Sequence, residues 1–269
     1  IIEIGLEAHM AKSQKKKFRR AKPIPISDAM SRLDLMLRVL EQETRSAIWA
    51  KAVLEVGNGI MMANYRGQTF DGANCYNVIR NSTQTALILA LCKLFERPRA
   101  RQGQSEATAL NRSDLASIPV FLHLLKQKRC RNKCVERAAV GWDGNSLGMS
   151  MMWEGGCLAA LQRCDETVRR LNSVKGRRAA ATLASFRDNH VAHLYAQSRP
   201  WNANRYNELY FLLDLASDLV SHASIVLRGC GLDLKKREQL WIDEARAFWR
   251  PALAAAIAGD SFAMSDVDA

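Results

Sequence analysis

Apolar residues recur every three or four positions along most of this chain, and this spacing constrains the fold more than any other feature. In the first long segment, Leu33, Leu37, Leu40 and Leu54 fall on one stripe of a helix with about 3.6 residues per turn. No segment has the strict apolar–polar alternation of a half-buried strand. We therefore predict an all-α fold, a bundle of long antiparallel helices with no sheet.

Capping residues and helix breakers divide this pattern into seven predicted helices. Ser27, Asp71 and Ser117 are the expected caps of the first three. Gly57 and Gly59 are expected to end the first helix, or to bend it before it runs on to Met62. Residues 99–111 are expected to form an exposed loop, and residues 129–150 a long connection. The predicted helices are 27–57 or 27–62, 71–98, 117–125 with Pro119 in its first turn, 158–176, a helix that ends before Pro200, 206–227 and 235–256.

The basic charge of the chain is unevenly distributed. The net charge is +12, and residues 11–22 alone contain seven Lys and Arg and no acid. We expect residues 1–26 to be a disordered basic leader, or an artefact of start-site choice, and residues 27–269 to form a single helical domain. A basic chain favours an acidic partner such as nucleic acid. Here that argument rests mainly on the leader.

Three further observations limit the kind of protein this is. The longest apolar stretch, residues 86–92, is far too short to cross a bilayer, so we expect a cytoplasmic protein without a membrane partner. The seven cysteines form no Cys-x-x-Cys pair and are expected to be free thiols. No group of residues has the spacing of a metal site, and no glycine-rich phosphate loop is present. We therefore expect neither a metal nor a cofactor.

Residues 186–195, FRDNHVAHLY, are the candidate catalytic segment, because two of the chain's five histidines lie here beside an Arg and an Asn. A histidine with a near-neutral pKa can take a proton from a 2′-hydroxyl or give one to a leaving 5′-oxygen. Arg187 can hold the phosphate through two parallel hydrogen bonds. Asn189 lies one turn before His193 and can orient its ring. These residue types suit metal-independent cleavage of RNA.

One straight helix cannot aim all these side chains at a single atom. Arg187 and His193 are six residues apart, so they point about 120° away from each other on an α-helix. A second copy of the helix could bring the two together. We therefore predict a homodimer with the motif helices near the two-fold axis.

The motif resembles the signature of the HEPN superfamily, and Arg187-Asp188-Asn189-His190-Val191-Ala192-His193 is most similar to the abortive-infection U-type branch. The resemblance extends over about residues 31–256. It implies a mostly dimeric, metal-independent endoribonuclease of toxin–antitoxin or abortive-infection systems, with Arg187 and His193 catalytic. Five residues separate Arg187 from His193, where the commonest pattern has four, so His190 stays a second candidate.

The ending His193-Leu194-Tyr195 is similar to the His-x-Tyr of HEPN toxins whose Tyr is modified by a cognate antitoxin. This resemblance makes Tyr195 a candidate for regulatory modification and an antitoxin a candidate partner. A buried core Tyr is the competing interpretation. Arg177 and Arg178 are candidates for binding RNA phosphates, against the interpretation of a solvated helix start. The alternative function is a non-catalytic helical module that holds a partner protein, a nucleotide or RNA.

Overall fold

The structure is a computed structural model that describes residues 24–65, 72–100, 104–112, 114–142, 150–188 and 206–262. Nine helices and no strand are present within these ranges, which confirms the predicted all-α class. The helices are α1 Ile26–Asn64, α2 Ala73–Phe95, α3 Glu106–Arg112, α4 Ile118–Leu125, α5 Lys128–Ala139, α6 Ser150–Leu171, α7 Val174–Phe186, α8 Tyr206–Arg228 and α9 Leu234–Phe262.

Two helices, α1 and α8, organise the core. α1 has 39 residues, which corresponds to a length of about 58 Å, and packs against α2, α8 and α9. α8 packs against α1, α6 and α7 and buries twelve of its 23 residues. By length and composition α8 alone among the described helices could cross a membrane, but 56% of that stretch is buried in the protein. The apolar composition of α8 is therefore explained by its position at the centre of the bundle.

Ion pairs and hydrogen bonds between helices give their relative directions. Lys93 near the end of α2 pairs with Glu43 in α1, whereas Tyr76 at the start of α2 bonds to Asn58, so α1 and α2 are antiparallel. By the same reasoning α8 is antiparallel to α1, α6 and α7. The pair formed by α1 and α9 departs from the predicted antiparallel arrangement. α9 runs parallel to α1, because α9 reverses direction after α8, which is itself antiparallel to α1.

The glycines that were expected to end α1 do not end it, because the helix continues to Asn64. Gly57 is buried, and a Cβ placed on it would lie 2.9 Å from the indole of Trp249. That indole donates from Nε1 to the carbonyl oxygen of Val53 at 3.0 Å. The glycine thus provides room for a side chain of α9, a requirement that depends on a residue almost 200 positions away.

Two predicted loops contain helices. Residues 99–111 include most of α3, which begins after Ser105, whose hydroxyl accepts a hydrogen bond from the Thr108 amide at 3.2 Å. Residues 129–150 include α5, which buries Cys130, Cys134 and Ala138 at four-residue intervals. The prediction missed α5 because this stripe is narrow and made of small side chains, while the rest of the helix is basic.

The predicted helix starts and ends were right in part. Ser27 does not cap α1, since the helix begins one residue earlier and the Ser27 hydroxyl bonds to Asp28 Oδ1 at 3.1 Å. Ser117 does occupy the N-cap position of α4, with extended backbone, and proline lies in the first turn as predicted, although the Ser117 hydroxyl makes no capping bond. The predicted cap Asp71 lies outside the described residues. The fourth predicted helix, 158–176, corresponds to α6, which ends at Leu171. The predicted end at Gly176 is wrong, because Gly176 lies inside α7.

Candidate active site at the end of α7

The helix α7 brings Arg187, the first charged residue of the motif, to the surface. Its N-cap residue Ser173 accepts a hydrogen bond from the Gly176 amide at 3.1 Å. Its buried residues Gly176, Ala179, Leu183 and Phe186 recur at intervals of three and four, so they form one stripe that faces the bundle. Arg187 follows this stripe directly and is exposed. The end of the buried stripe therefore determines where Arg187 leaves the core.

The backbone widens directly after the last residue of α7. Arg187 and Asp188 adopt a wider π-helical turn. The predicted divergence of Arg187 and His193 depends on residues between them that lie outside the described ranges, so it stays a prediction. π-Turns within helices occur frequently at functional sites. Asn189, His190, His193 and Tyr195 lie outside the described residues, so their predicted roles stay predictions.

Contacts to the neighbouring helices fix α7 in place. Glu208 of α8 is buried and accepts close contacts from both the Arg178 guanidinium and the Thr182 hydroxyl. Arg177 donates from Nη1 to the carbonyl oxygen of Asn172 at 3.0 Å, just beyond the end of α6. The structure thus gives both predicted RNA-binding arginines a partner within the fold. Their role in binding RNA stays a prediction.

An open cleft of about 430 Å³ lies beside Arg187. One wall is the last turn of α2 with the segment that follows it, and the other is the exposed side of α7. Arg97 and Arg99 line the cleft together with Arg187, so three arginines surround it. The lining residues are Cys92, Phe95, Glu96, Arg97, Pro98, Arg99, Leu115, Ala180, Leu183, Ala184 and Arg187.

Each of these arginines has a different electrostatic environment. Arg187 donates to Asp188 Oδ1 from Nε at 2.9 Å, and this hydrogen bond is the main cause that raises the pKa of Arg187. Arg97 pairs with Glu106 at 3.2 Å on an exposed surface. Arg99 is exposed and has no ion pair with any residue that the structure describes. The cleft therefore offers cations to an incoming anion.

Cys92 is the one nucleophilic side chain among the lining residues. Burial raises the pKa of its thiol to about 11, against the opposing effect of the nearby Arg187 guanidinium. A thiol with this pKa is neutral at physiological pH, and only the thiolate is strongly nucleophilic. Burial therefore keeps the Cys92 thiol protonated and weakly nucleophilic at neutral pH.

Sequence reasoning missed Arg97 and Arg99. It placed Arg99 in an exposed loop and assigned neither residue to the site. The two arginines flank Pro98 directly after an apolar helix, and this basic cluster was the available signal. Their approach to Arg187 comes from the packing of α2 on α7, which a linear sequence does not display.

The two described histidines lie within hydrogen-bonding distance of neighbouring groups, and the cysteines are free thiols as predicted. His123 Nε2 lies 3.0 Å from Asn111 Oδ1, and burial lowers the pKa of this histidine. His222 Nδ1 lies 2.6 Å from the Asp218 carbonyl oxygen. All seven cysteines are free thiols. In the part of the chain that the structure describes, no three His, Cys, Asp or Glu side chains are arranged to hold a metal ion.

Comparison with known families tests the resemblance drawn from the motif. The family model HEPN_AbiU2, described as AbiU2, matches residues 30–248, which is most of the chain and includes the whole of α7 and the motif. The chain belongs to the AbiU2 family of HEPN domains. This confirms the predicted superfamily and branch. No curated protein and no solved structure matches the chain. HEPN domains are commonly ribonucleases, so membership of the family suggests a ribonuclease or abortive-infection role for this AbiU2 protein.

Proposed function

We propose that this AbiU2 HEPN protein is a metal-independent endoribonuclease that acts as a toxin or an abortive-infection effector. The observation that carries the proposal is the position of Arg187, which leaves the helical core at the motif and lines an open cleft beside Arg97 and Arg99. Clustered guanidinium groups suit the binding of phosphates, because each offers several donors in a planar arrangement.

In the proposed reaction, a histidine acts as general base and takes the proton of a 2′-hydroxyl. The 2′-oxygen forms a bond to phosphorus, and the bond from phosphorus to the 5′-oxygen breaks. A proton from a general acid goes to the leaving 5′-oxygen, which gives a 2′,3′-cyclic phosphate and a 5′-hydroxyl. His193 is the first candidate for proton transfer and His190 the second, while Asn189 orients His193 or the phosphate.

Arg187 stabilises the negative charge that develops on the non-bridging oxygens during this reaction. To do so it must exchange at least part of its interaction with Asp188 for the phosphate. Both side chains of this pair are about half exposed, and such pairs contribute at most about 1 kcal/mol. A phosphate oxygen can therefore displace the carboxylate at little cost.

The proposal includes a homodimer in which two motif helices lie near the two-fold axis. Each cleft would then receive a histidine from the second copy. The Arg187 of one protomer could act with the His193 of its partner, although the two side chains are predicted to diverge on a single helix. Light scattering across a dilution series tests this part. A strictly monomeric protein that still cleaves RNA contradicts it.

The pairing of Arg187 with Asp188 favours a second candidate function. A guanidinium that stays neutralised by its neighbour fits a non-catalytic helical module that holds a partner protein, a nucleotide or RNA. In that case Arg187 and His193 of two protomers would face separate pockets.

Cleavage of total RNA in EDTA separates these two functions. We expect wild-type protein to cleave in the presence of the chelator and Arg187→Ala and His193→Ala to be inactive. Arg163→Ala removes an exposed arginine of α6 that pairs with Glu166 and does not line the cleft, and it serves as the control, with near-normal activity expected. Cleavage that disappears with EDTA and returns with magnesium contradicts the proposed mechanism. Purified protein with no cleavage under any condition favours the binding module.

A further inference from the structure

A second groove lies where α8 ends, against the outer side of α1. It consists of two adjoining cavities of about 590 and 680 Å³ that share Arg38 and Arg228. We call it the Arg–Trp groove. Four arginines and four tryptophans line it: Arg38, Arg45, Arg137, Arg228, Trp49, Trp142, Trp153 and Trp241.

The Arg–Trp groove is well separated from the cleft at Arg187. Thr182 and Arg178 of α7 contact Glu208 near the start of α8, whereas Arg228 is its last residue. The twenty residues between Glu208 and Arg228 span about 30 Å of helix. The groove is therefore a distinct surface and not an extension of the candidate active site.

Four of the chain's six tryptophans line this groove. Trp49 and Trp241 are stacked, with ring centroids 6.2 Å apart and an interplanar angle of 27°. Trp142 and Trp153 form a tilted pair, also with centroids 6.2 Å apart. All four are half-buried, so each indole has one part fixed in the protein and another open to the groove.

Contacts with the end of α8 fix the position of the Trp142 ring. Its Nε1 donates to the Val226 carbonyl oxygen at 3.1 Å, in the last turn of α8. Its ring lies against Gly229, where the backbone has a φ of +72° and a Cβ would come within 2.2 Å of the indole. Only glycine fits both the left-handed backbone and this close approach. The ring is therefore held in one place before any ligand arrives.

Two arginines of the groove each pair with one carboxylate. Arg137 pairs with Asp34 at 3.2 Å, and Arg228 pairs with Glu41 at 3.0 Å. Each guanidinium has five N–H donors, so one carboxylate does not use them all.

Two further arginines have capacity for an anion. Arg38 is exposed and pairs with no residue that the structure describes. Arg45 pairs with Glu41, but its Nε is buried without an acceptor in the described ranges. Four arginines face two carboxylates in the whole groove, so the surface has an excess of positive charge.

We propose that the Arg–Trp groove binds single-stranded RNA, with bases stacked on the exposed indoles and phosphates held by the arginines. Stacking on aromatic side chains combined with a basic groove is how single strands are bound without sequence preference. A duplex would not fit this chemistry, since its bases are already stacked. An acidic peptide would use the arginines but not the four tryptophans. The choice of RNA over single-stranded DNA rests on the proposed function.

The test measures binding separately from cleavage. The probe is a fluorescein-labelled oligoadenylate of about 12 nucleotides with 2′-O-methyl groups, a length within the site sizes of single-strand binding folds. It lacks the 2′-hydroxyl that the proposed reaction needs, so it stays intact. Binding is followed by fluorescence anisotropy and by quenching of tryptophan emission. Competitors are the same strand annealed to its complement, a DNA strand of the same sequence and a polyglutamate.

The variants probe stacking and charge in turn. Trp49→Leu and Trp153→Leu remove one indole from each cavity, and neither residue packs against the main hydrophobic core. Arg38→Gln removes the exposed arginine. Arg169→Gln removes an exposed arginine near the far end of α6, outside the groove, and is the matched charge control. Circular dichroism melting confirms that each variant is folded.

We expect each tryptophan variant to weaken binding about fivefold or more and to reduce the quenching. Arg38→Gln should lower the salt dependence of log Kd by about 0.7, the increment of one phosphate contact on a single strand. Arg169→Gln should bind like wild type. The proposal is wrong if Arg38→Gln and Arg169→Gln behave alike, if the tryptophan variants keep full affinity, or if the duplex or polyglutamate competes as well as the single strand.

These outcomes are independent of the proposed nuclease activity. If the protein cleaves RNA but the groove variants have no effect, the proposed function is supported and the proposed role of the groove is wrong. If the protein binds RNA through the groove but never cleaves it, the proposed role of the groove is supported and the proposed nuclease activity is wrong.

Discussion

Arg187 donates a hydrogen bond from Nε to Oδ1 of its sequence neighbour Asp188 at 2.9 Å, and its Nη2 lies 2.8 Å from the same oxygen. The exposed fractions of the two side chains are 44% and 51%, so water screens this pair. A carboxylate beside the proposed phosphate ligand therefore acts as a weak internal competitor. It holds the guanidinium at the cleft without preventing its exchange onto RNA.

Replacement of Asp188 by Asn tests this competition. We expect Asp188→Asn to tighten RNA binding by a few-fold, because the anion that competes with phosphate is lost. Asp243→Asn is the control, since Asp243 is equally exposed, pairs with Arg246 at 2.9 Å and lies on α9. Kd values from anisotropy at two salt concentrations provide the measurement. Equal effects of the two variants would attribute the change to net charge alone.

Alanine variants of the proposed catalytic residues should lose activity without unfolding. We expect Arg187→Ala to reduce cleavage by about 100- to 1,000-fold through lost charge stabilisation. His193→Ala should reduce it by about 100- to 10,000-fold through lost proton transfer, and His190→Ala should be milder. Urea unfolding should differ from wild type by less than about 0.5 kcal/mol for Arg187→Ala, because the side chain is exposed. Severe loss in His190→Ala with an active His193→Ala would assign proton transfer to His190.

The two glycines of α1 should respond in opposite directions to alanine. Gly57→Ala should destabilise the protein by about 1 to 3 kcal/mol, because the new Cβ would lie 2.9 Å from the Trp249 indole. Gly59→Ala should stabilise it by about 0.5 to 1 kcal/mol, since no atom lies within 4 Å of its added Cβ and alanine favours the helix. Urea denaturation of both variants gives the comparison. A neutral Gly57→Ala would show that α9 can shift away from α1.

The buried thiols should make the protein sensitive to alkaline pH. Burial raises the pKa of Cys134 and Cys164 to about 12 and that of Cys92 and Cys157 to about 11. A folded pKa above the unfolded value favours the fold below the ordinary thiol pKa of 9.0, and this contribution is lost as pH rises towards 11 and 12. Stability in urea should therefore fall as pH rises above about 9.

A thiol reagent gives an independent measurement of the same burial. At pH 8 we expect only the exposed Cys75 and Cys230 of the folded protein to react rapidly, and the other five thiols to react after denaturation. Cys75→Ser and Cys230→Ser together should abolish the rapid phase. Rapid reaction of the buried thiols of α5 and α6 in the native protein would contradict the packing of those two helices; these thiols are Cys130, Cys134, Cys157 and Cys164.

The sequence alone determined the helical class and the place of the motif, because both are local properties. Apolar spacing of three and four residues forms a buried stripe on a helix in any context, and it identified the central α1 and α8. The motif at 186–195 is contiguous, so its resemblance to the AbiU2 HEPN family could be recognised from the residues themselves. The roles assigned to its histidines stay predictions.

Tertiary structure decided the features that depend on which residues meet. Helix α5 escaped prediction because its buried stripe consists of two cysteines and an alanine, which become a packing surface only when α6 lies against them. Gly57 has the local character of a helix breaker, but the Trp249 indole makes it a packing site within a continuous helix. Arg97 and Arg99 join Arg187 only because α2 packs on α7, ninety residues further along the chain. Local sequence sets the periodicity of each helix, whereas the energy of side chains in contact across helices depends on positions that are distant in sequence.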